Sequence, residues 1–450
     1  MAHSIYDEDF EKSPFVYLCL MNGIVRYFFT HLGLLFLGVA SLSAQRFFPS
    51  EMLDERVNAL QIRALSGEGD WMPFPYYTLH SNEGLSIQFD LLDDTPRPLR
   101  YQLQHCDAMW QSSPLAPTEY QSGYAEGELP PSIPSSLTKV SYRHYTLELS
   151  EESSPHPTLS GNYLLTIFDP STPQEPLLRV AFAVVEPLAT LEASLDKTWG
   201  ISPDKQHISA TLSLASLGRS HMTDEEITLV VAQNNRHDTP QWIRRPSSKG
   251  FDQYRYYGQA ITFDAGNEYH ALEYLSPYIP SMGIERTVQD GEVTQLYPFA
   301  DENRSRQDFH STDFGAQGQY VIRSRTLDAD VATSTDYYNI HFRFTSDPLP
   351  HGYIPLLSGE AFDYLPVSER LLHYDAKEGA YTAELLLKGG YISYLYLATL
   401  PKGEAYTQPY KADYTEGNHY ATHNRYTLLA YYHPIGSRYD QLIAVASSSK

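Results

Sequence analysis

Leu99-Arg100-Tyr101-Gln102-Leu103-Gln104-His105-Cys106-Asp107-Ala108-Met109-Trp110 carries a period of two. Leu99, Tyr101, Leu103 and His105 alternate with Arg100, Gln102, Gln104 and Cys106, the pattern of a strand with one face turned to the core. Successive strand side chains point to opposite faces, so His105 and Cys106 cannot meet as base and nucleophile. Asp107, at the strand's end, is placed to accept from backbone N–H groups of the following turn, with Trp110 as a large anchor beneath it. The stretch predicts a structural turn, not an active site.

The same period recurs along the chain. Tyr145, Leu147 and Leu149 alternate with Thr146 and Glu148, and Ile208, Ala210, Leu212 and Leu214 alternate with Ser209, Thr211 and Ser213. Thirty prolines break the 450 residues often enough that no amphipathic helix longer than about three turns is expected. The reading is all-β, with tandem immunoglobulin-like β-sandwich domains. The length allows about two to four of them.

Three units are predicted. The first, 45–187, closes on the apolar strand 177–185 before Pro187. The second, 188–330, carries strands at 208–214 and 227–231 and fades in the polar stretch 301–312. The third, 331–450, contains the alternating run Asn339-Ile340-His341-Phe342-Arg343-Phe344 and a second strand at 353–360. Its runs 381–387 and 391–398 flank Lys388-Gly389-Gly390, which predicts a tight hairpin.

Upstream, 32–40 is an apolar core of nine residues behind Arg26 and ahead of the small residues Ser41-Leu42-Ser43-Ala44. That is the length and order of a cleaved export signal and too short for a membrane span. Cleavage is expected after Ala44, with Ser43 as fallback, so that 1–44 forms the signal region. The acidic residues Asp7, Glu8, Asp9 and Glu11 suit no such leader, and Met21 reads as the start. Cys19 is then lost and Cys106 remains as a lone thiol, which excludes a disulfide framework.

A formal charge of −23 disfavours a nucleic-acid partner. The densest basic stretch, 236–249, reads as a solvated loop, and its Trp242, Arg244 and Arg245 are the candidate partner contact. His419 and His423 stand four apart, a helical metal spacing, yet no helix and no third ligand accompany them, so two solvent-facing loop histidines are expected. Acid pairs such as Asp93-Asp94 are mere sequence neighbours, and no nucleophile elbow or phosphate loop occurs. No catalytic residues, cofactor or metal are predicted, and the chain is not expected to be an enzyme.

Taken together, these stretches resemble the type IX secretion system plug proteins of the Bacteroidetes. The resemblance rests on Leu85-Ser86-Ile87-Gln88-Phe89-Asp90, on Tyr101, Cys106, Asp107 and Trp110 in a Tyr-x-x-x-x-Cys-Asp-x-x-Trp pattern, on Tyr120-Gln121-Ser122-Gly123-Tyr124, on Tyr142-Arg143-His144-Tyr145, and on Ser160-Gly161-Asn162-Tyr163-Leu164-Leu165. It continues through 179–186 and, with Asn235 a mild departure, Gln233-Asn234-Asn235-Arg236, then Asn267-Glu268. The third unit is also similar to early-set immunoglobulin-like glycan-binding modules, through Gly359, Leu372-His373-Tyr374-Asp375 and Gly390-Tyr391, with Phe362 or Tyr364 where those modules carry tryptophan.

The family resemblance implies a periplasmic protein that binds the periplasmic mouth of the large outer-membrane β-barrel translocon and closes it while no cargo is present. The alternative is a periplasmic carbohydrate-binding protein, which requires coplanar exposed aromatics around Tyr364, Tyr391 and Tyr394.

Overall fold

The computed structural model describes residues 50–65, 74–196, 202–217, 223–276, 281–289, 291–311, 316–325, 330–403 and 405–449. The expected signal region, its cleavage site and Cys19 lie outside the described residues. Residues 45–450 form one compact unit, built from three β-sandwiches.

In the first sandwich the strands Glu51–Met52, Pro176–Val185, Gly161–Phe168, Arg100–Cys106 and Gly127–Glu128 lie side by side in that order. The facing sheet runs Val57–Ala64, Gly84–Leu91, Arg143–Ser150 and Ile133–Pro134. Between them Leu85, Ile87, Phe89, Tyr145, Leu165, Ile167 and Phe182 are buried in one core. Asp90 pairs across the ladder with His144, and Cys106 with Asn162.

The second sandwich sets Thr190–Leu195, Lys205–Ser213, Gln253–Tyr256 and Ser248–Lys249 against Gln241–Ile243, Ile227–Gln233, Arg425–Tyr432 and Gln441–Ser449. Half of its second sheet therefore comes from the chain's C-terminus. The expected division into 188–330 and 331–450 is corrected by this pairing: Ile227–Gln233 takes Arg425–Tyr432 as its neighbour, from Ile227 opposite Tyr432 to Gln233 opposite Tyr426. The third sandwich is an insertion between these two strands.

That insertion begins near His270. Strands His270–Tyr274 and Ile284–Val288, which fall inside the 188–330 bounds expected for the second unit, pair within the third. One sheet centres on Gly390–Thr399, with His270–Tyr274, Tyr320–Ile322 and Ile354–Ser358 on it; the other runs Ile284–Val288, Thr294–Pro298, Tyr337–Thr345, Ala380–Lys388 and His373–Asp375. The helices are single turns, such as Glu360–Asp363 and Val331–Ser334.

Gly389-Gly390 is not a hairpin turn. Ala380–Lys388 and Gly390–Thr399 belong to opposite sheets, so the glycines carry the chain across the sandwich. Gly390 has φ +151, and a Cβ there would stand 2.1 Å from the Val321 carbonyl oxygen. The sequence signal of two flanking strands was met by a corner, which needs glycine for close approach and not for a type I′ turn.

Candidate functional site: the seams between domains

The family-signature residues gather where the first domain meets the other two. At the Cys106 end of its strand, Asp107 Oδ1 accepts from the N–H groups of Met109 (2.9 Å) and Gln111 (2.8 Å). The turn so held places Trp110 in the left-handed region at φ +62 and leaves it only 8% exposed. Asn162 Nδ2 donates to the Asp107 carbonyl at 2.9 Å.

The second domain docks on this turn. Tyr431 OH donates to Asn162 Oδ1 (2.7 Å), Trp242 Nε1 donates to the Ala108 carbonyl (3.0 Å), and the Ala108 N–H donates to Asp440 Oδ2 (2.8 Å). Behind these bonds the two domains share a core. Along Arg425–Tyr432, Tyr426, Leu428, Ala430 and Tyr432 face the second domain's interior, while Leu429 and Tyr431 join the first domain's core. Ile227–Gln233 divides likewise, Leu229 and Val231 inward, Val230 and Ala232 toward the first domain. A strand buried on both faces lets one sheet serve two cores.

Trp242, proposed from sequence as a contact for a partner, is thus engaged within the chain. Arg244 and Arg245 are exposed.

Cys106 is a free, buried thiol in this shared core. Burial, with the Asp107 carboxylate beside it, pushes its pKa up to about 12, so it is neither a nucleophile nor a ready metal ligand at neutral pH. His105 lies on the other face, its Nε2 3.2 Å from the Ser160 carbonyl and its ring edge-on to Tyr163. Gly161 is the signature glycine for a steric reason: at φ +137, a Cβ would meet His105 Nε2 at 2.5 Å. Tyr163 OH donates to the Leu159 carbonyl at 2.8 Å, and Tyr101 OH to that of Pro155 at 3.0 Å.

The seam with the third domain has a different chemistry. Phe89 stacks on Tyr145 within the first domain, ring centroids 5.2 Å apart, and Asp90 beyond it points at the third domain. Its Oδ1 lies 2.7 Å from His144 Nδ1; its Oδ2 accepts from Lys388 Nζ (2.6 Å) and from Tyr337 OH (2.7 Å). Tyr337 and Lys388 are themselves directly opposed across their ladder. Two cross-strand pairs, Asp90/His144 and Tyr337/Lys388, therefore meet face to face.

Lys388 also donates to the Ala332 carbonyl at 2.5 Å and sits 4.1 Å over the Tyr142 ring. Burial lowers its pKa, against the pull of Asp90. Nearby, Arg63 donates to both carboxylate oxygens of Glu360 at 2.5 and 3.1 Å and to the Tyr320 carbonyl at 2.8 Å. Sequence reasoning singled out Asp90 and His144 but gave Lys388 and Tyr337 no part in it, because Lys388 ends an alternating strand as any solvated lysine would.

The second and third domains join through amides. Gln206 Nε2 donates to the carbonyls of Tyr420 (2.8 Å) and Thr422 (2.9 Å), while its Oε1 accepts from Tyr426 OH (2.6 Å) and Asn424 Nδ2 (2.9 Å). Asn234 Nδ2 donates to Asn424 Oδ1 at 2.7 Å. His423 is half-buried and its Nδ1 lies 2.8 Å from Glu268 Oε1, and His419 is half-buried too, so neither is the solvent-facing histidine expected.

Within the third domain, His270 lies between two carboxylates. Its Nδ1 is 3.0 Å from Asp301, and its Nε2 is 3.2 Å from Glu416, an ion-pair contact out of line for a hydrogen bond. Burial alone would lower the His270 pKa; Glu416 and Asp301 outweigh it and raise it to about 9. Burial likewise opposes ionisation of Glu416, but Arg304 and His270 bring it down to about 2.

Tyr364 and Tyr394 are buried, 4% and 3% exposed, Tyr391 is half-buried, and Phe362 is fully enclosed. They form no stacking platform. Among the described residues no cluster of side chains could hold a metal ion, and no helix is long and apolar enough to cross a membrane.

Residues 60–186 match the family model described as type 9 secretion system plug protein 1st domain. Within this chain, the first sandwich is the part similar to that domain. The first-domain signature residues lie inside the matched span, and among them Asp90, Asp107, Trp110 and Asn162 stand at the seams. The whole architecture is similar to the crystal structure of a hypothetical protein from Parabacteroides merdae ATCC 43184, with TM-score 0.82 and 28% identity over 90% of this chain and 99% of that one. No match is found among the curated proteins.

Proposed function

We propose that the chain is a periplasmic plug that binds the periplasmic end of the type IX outer-membrane translocon barrel and occludes it when no cargo is present. The carrying observation is the plug first-domain match over 60–186, whose signature residues bond to both other domains. An occluding body must keep its shape under load, and three sandwiches joined through buried seams meet that need better than domains on linkers. On this reading the protein acts by occupying space and not by catalysis. Export to the periplasm by the 1–44 segment belongs to the same proposal.

The glycan-binding alternative is not favoured, because its aromatic platform is buried. The test is conductance. A purified translocon freed of this chain and of cargo should pass ions in a planar bilayer, and mature protein added on the periplasmic side should abolish the current. Addition to the outer side should change nothing. Unchanged current at saturating protein would refute the proposal.

A further inference from the structure

Two clefts open along the seam of the first and third domains. One, of about 390 Å³, ends on Asp90, His144 and Lys388, whose polar groups are satisfied by one another. The other, of about 290 Å³, is lined by Lys139 from the first domain and by Arg323 and Arg325 from the third, with Asp336 as its one carboxylate among the described residues. All three cations are exposed. Among the described residues neither Lys139 nor Arg325 has an ion-pair partner, while Arg323 shares Glu273 at 3.1 Å.

Asp336 is already occupied. Its Oδ1 accepts from the N–H groups of Val140 (3.1 Å) and Tyr337 (2.9 Å), and its Oδ2 from that of Lys139 (2.9 Å). Acids outnumber bases 55 to 32 in the chain, so three cations against one lining carboxylate reverse the general charge balance. Like charges gathered from two domains repel one another unless an anion lies between them. At the mouth stands Leu137, 86% exposed, and a bare leucine beside a cleft gains by being covered.

We propose that this cleft binds an acidic segment of polypeptide, its carboxylates meeting Lys139, Arg323 and Arg325 and an apolar side chain covering Leu137. A free inorganic anion needs neither the volume nor the leucine, which is why a peptide fits better. The inference does not depend on the plug role: the cleft would bind such a segment whether or not the chain seals a channel.

The test is fluorescence anisotropy of a short labelled peptide alternating leucine and glutamate, against one alternating leucine and glutamine, with inorganic phosphate as competitor. The glutamate peptide should bind, more weakly as salt rises, and phosphate at comparable concentration should not displace it. Lys139→Glu with Arg325→Glu should weaken binding at least about tenfold with the melting temperature unchanged, since both side chains are exposed and neither has an ion-pair partner among the described residues. Leu137→Ser should weaken the peptide too. Equal binding of the glutamine peptide, displacement by phosphate, or full affinity in the charge-reversed variant would each overturn the proposal.

Discussion

The two seams of the first domain hold it by different balances of contact, although Tyr364 and the cluster of Ala59, Tyr142 and Tyr337 add apolar contact to the one with the third domain. Toward the second domain, Val230, Ala232, Leu429, Tyr431 and Leu442 merge into the first domain's own core, so separating the pair would expose apolar surface as unfolding does. Toward the third, an ionic knot of Asp90, His144, Tyr337 and Lys388 is flanked by two clefts. Buried ion pairs add little net stability over apolar packing but are costly to break on one side only. The first seam fuses two sandwiches into one folding unit; the second specifies where the third sandwich sits.

The sharpest way to break this comparison is Trp110→Ala. Removing a buried indole costs about 3–5 kcal/mol, and Trp110 belongs to the core that both domains share. First and second domains should therefore lose stability together, in one transition at lower denaturant, checked by urea unfolding followed by hydrogen exchange in each domain. A variant that loosens the first domain alone would show that the seam is not a common core.

Lys388→Met should act differently. It strands Asp90 in a buried site, a loss of about 3–5 kcal/mol if the seam stays closed. Opening the seam lets water reach Asp90, so the observed loss should be smaller than that of Trp110→Ala and should appear as faster exchange near 133–140 and 331–334 without global unfolding. Combining Lys388→Met with Asp90→Asn removes the stranded charge and should recover most of the loss. If the double variant is no better than the single one, the lysine's packing on Tyr142 matters more than its charge.

The sequence made one seam half legible and the other hardly at all. Period-two patterning located the strands around Arg100–Cys106, Tyr337–Thr345 and Ile227–Gln233 close to where they stand, and the role of Asp107 followed from its place after a strand. What could not be read was pairing between distant segments. Arg425–Tyr432 is a nearly continuous apolar run buried on both faces, and nothing local says that its neighbour lies some two hundred residues upstream across an inserted domain. Trp242 beside Arg244 and Arg245 has the composition of an outer contact surface, and only the fold reveals that its indole N–H is satisfied by Ala108. Gly389-Gly390 misled because close approach and positive φ call for the same residue.

The smallest effect expected is one of pH, and it separates regions held by ions from those held by apolar contact. His270 has a folded pKa of about 9 against 6.5 for the free side chain. A raised pKa means that its stabilising charge is fully present below about pH 6.5 and is lost as pH climbs through 9. Glu416, brought down to about 2 from 4.5, contributes fully above about pH 4.5 and loses its contribution only as pH falls toward 2. Between these limits both charges are in place and the third domain should be at its most stable. Raising pH from 6.5 to 9 should cost it on the order of 2 kcal/mol, seen as faster exchange at His270–Tyr274 and Gly390–Thr399. The shared core of the first and second domains should hardly respond over this range, because the Cys106 thiol within it stays protonated until about pH 12. His270→Asn should abolish the alkaline loss in the third domain while lowering its stability at pH 6. An alkaline response of equal size in both regions would mean that the His270 charge is not what distinguishes the third domain from the shared core.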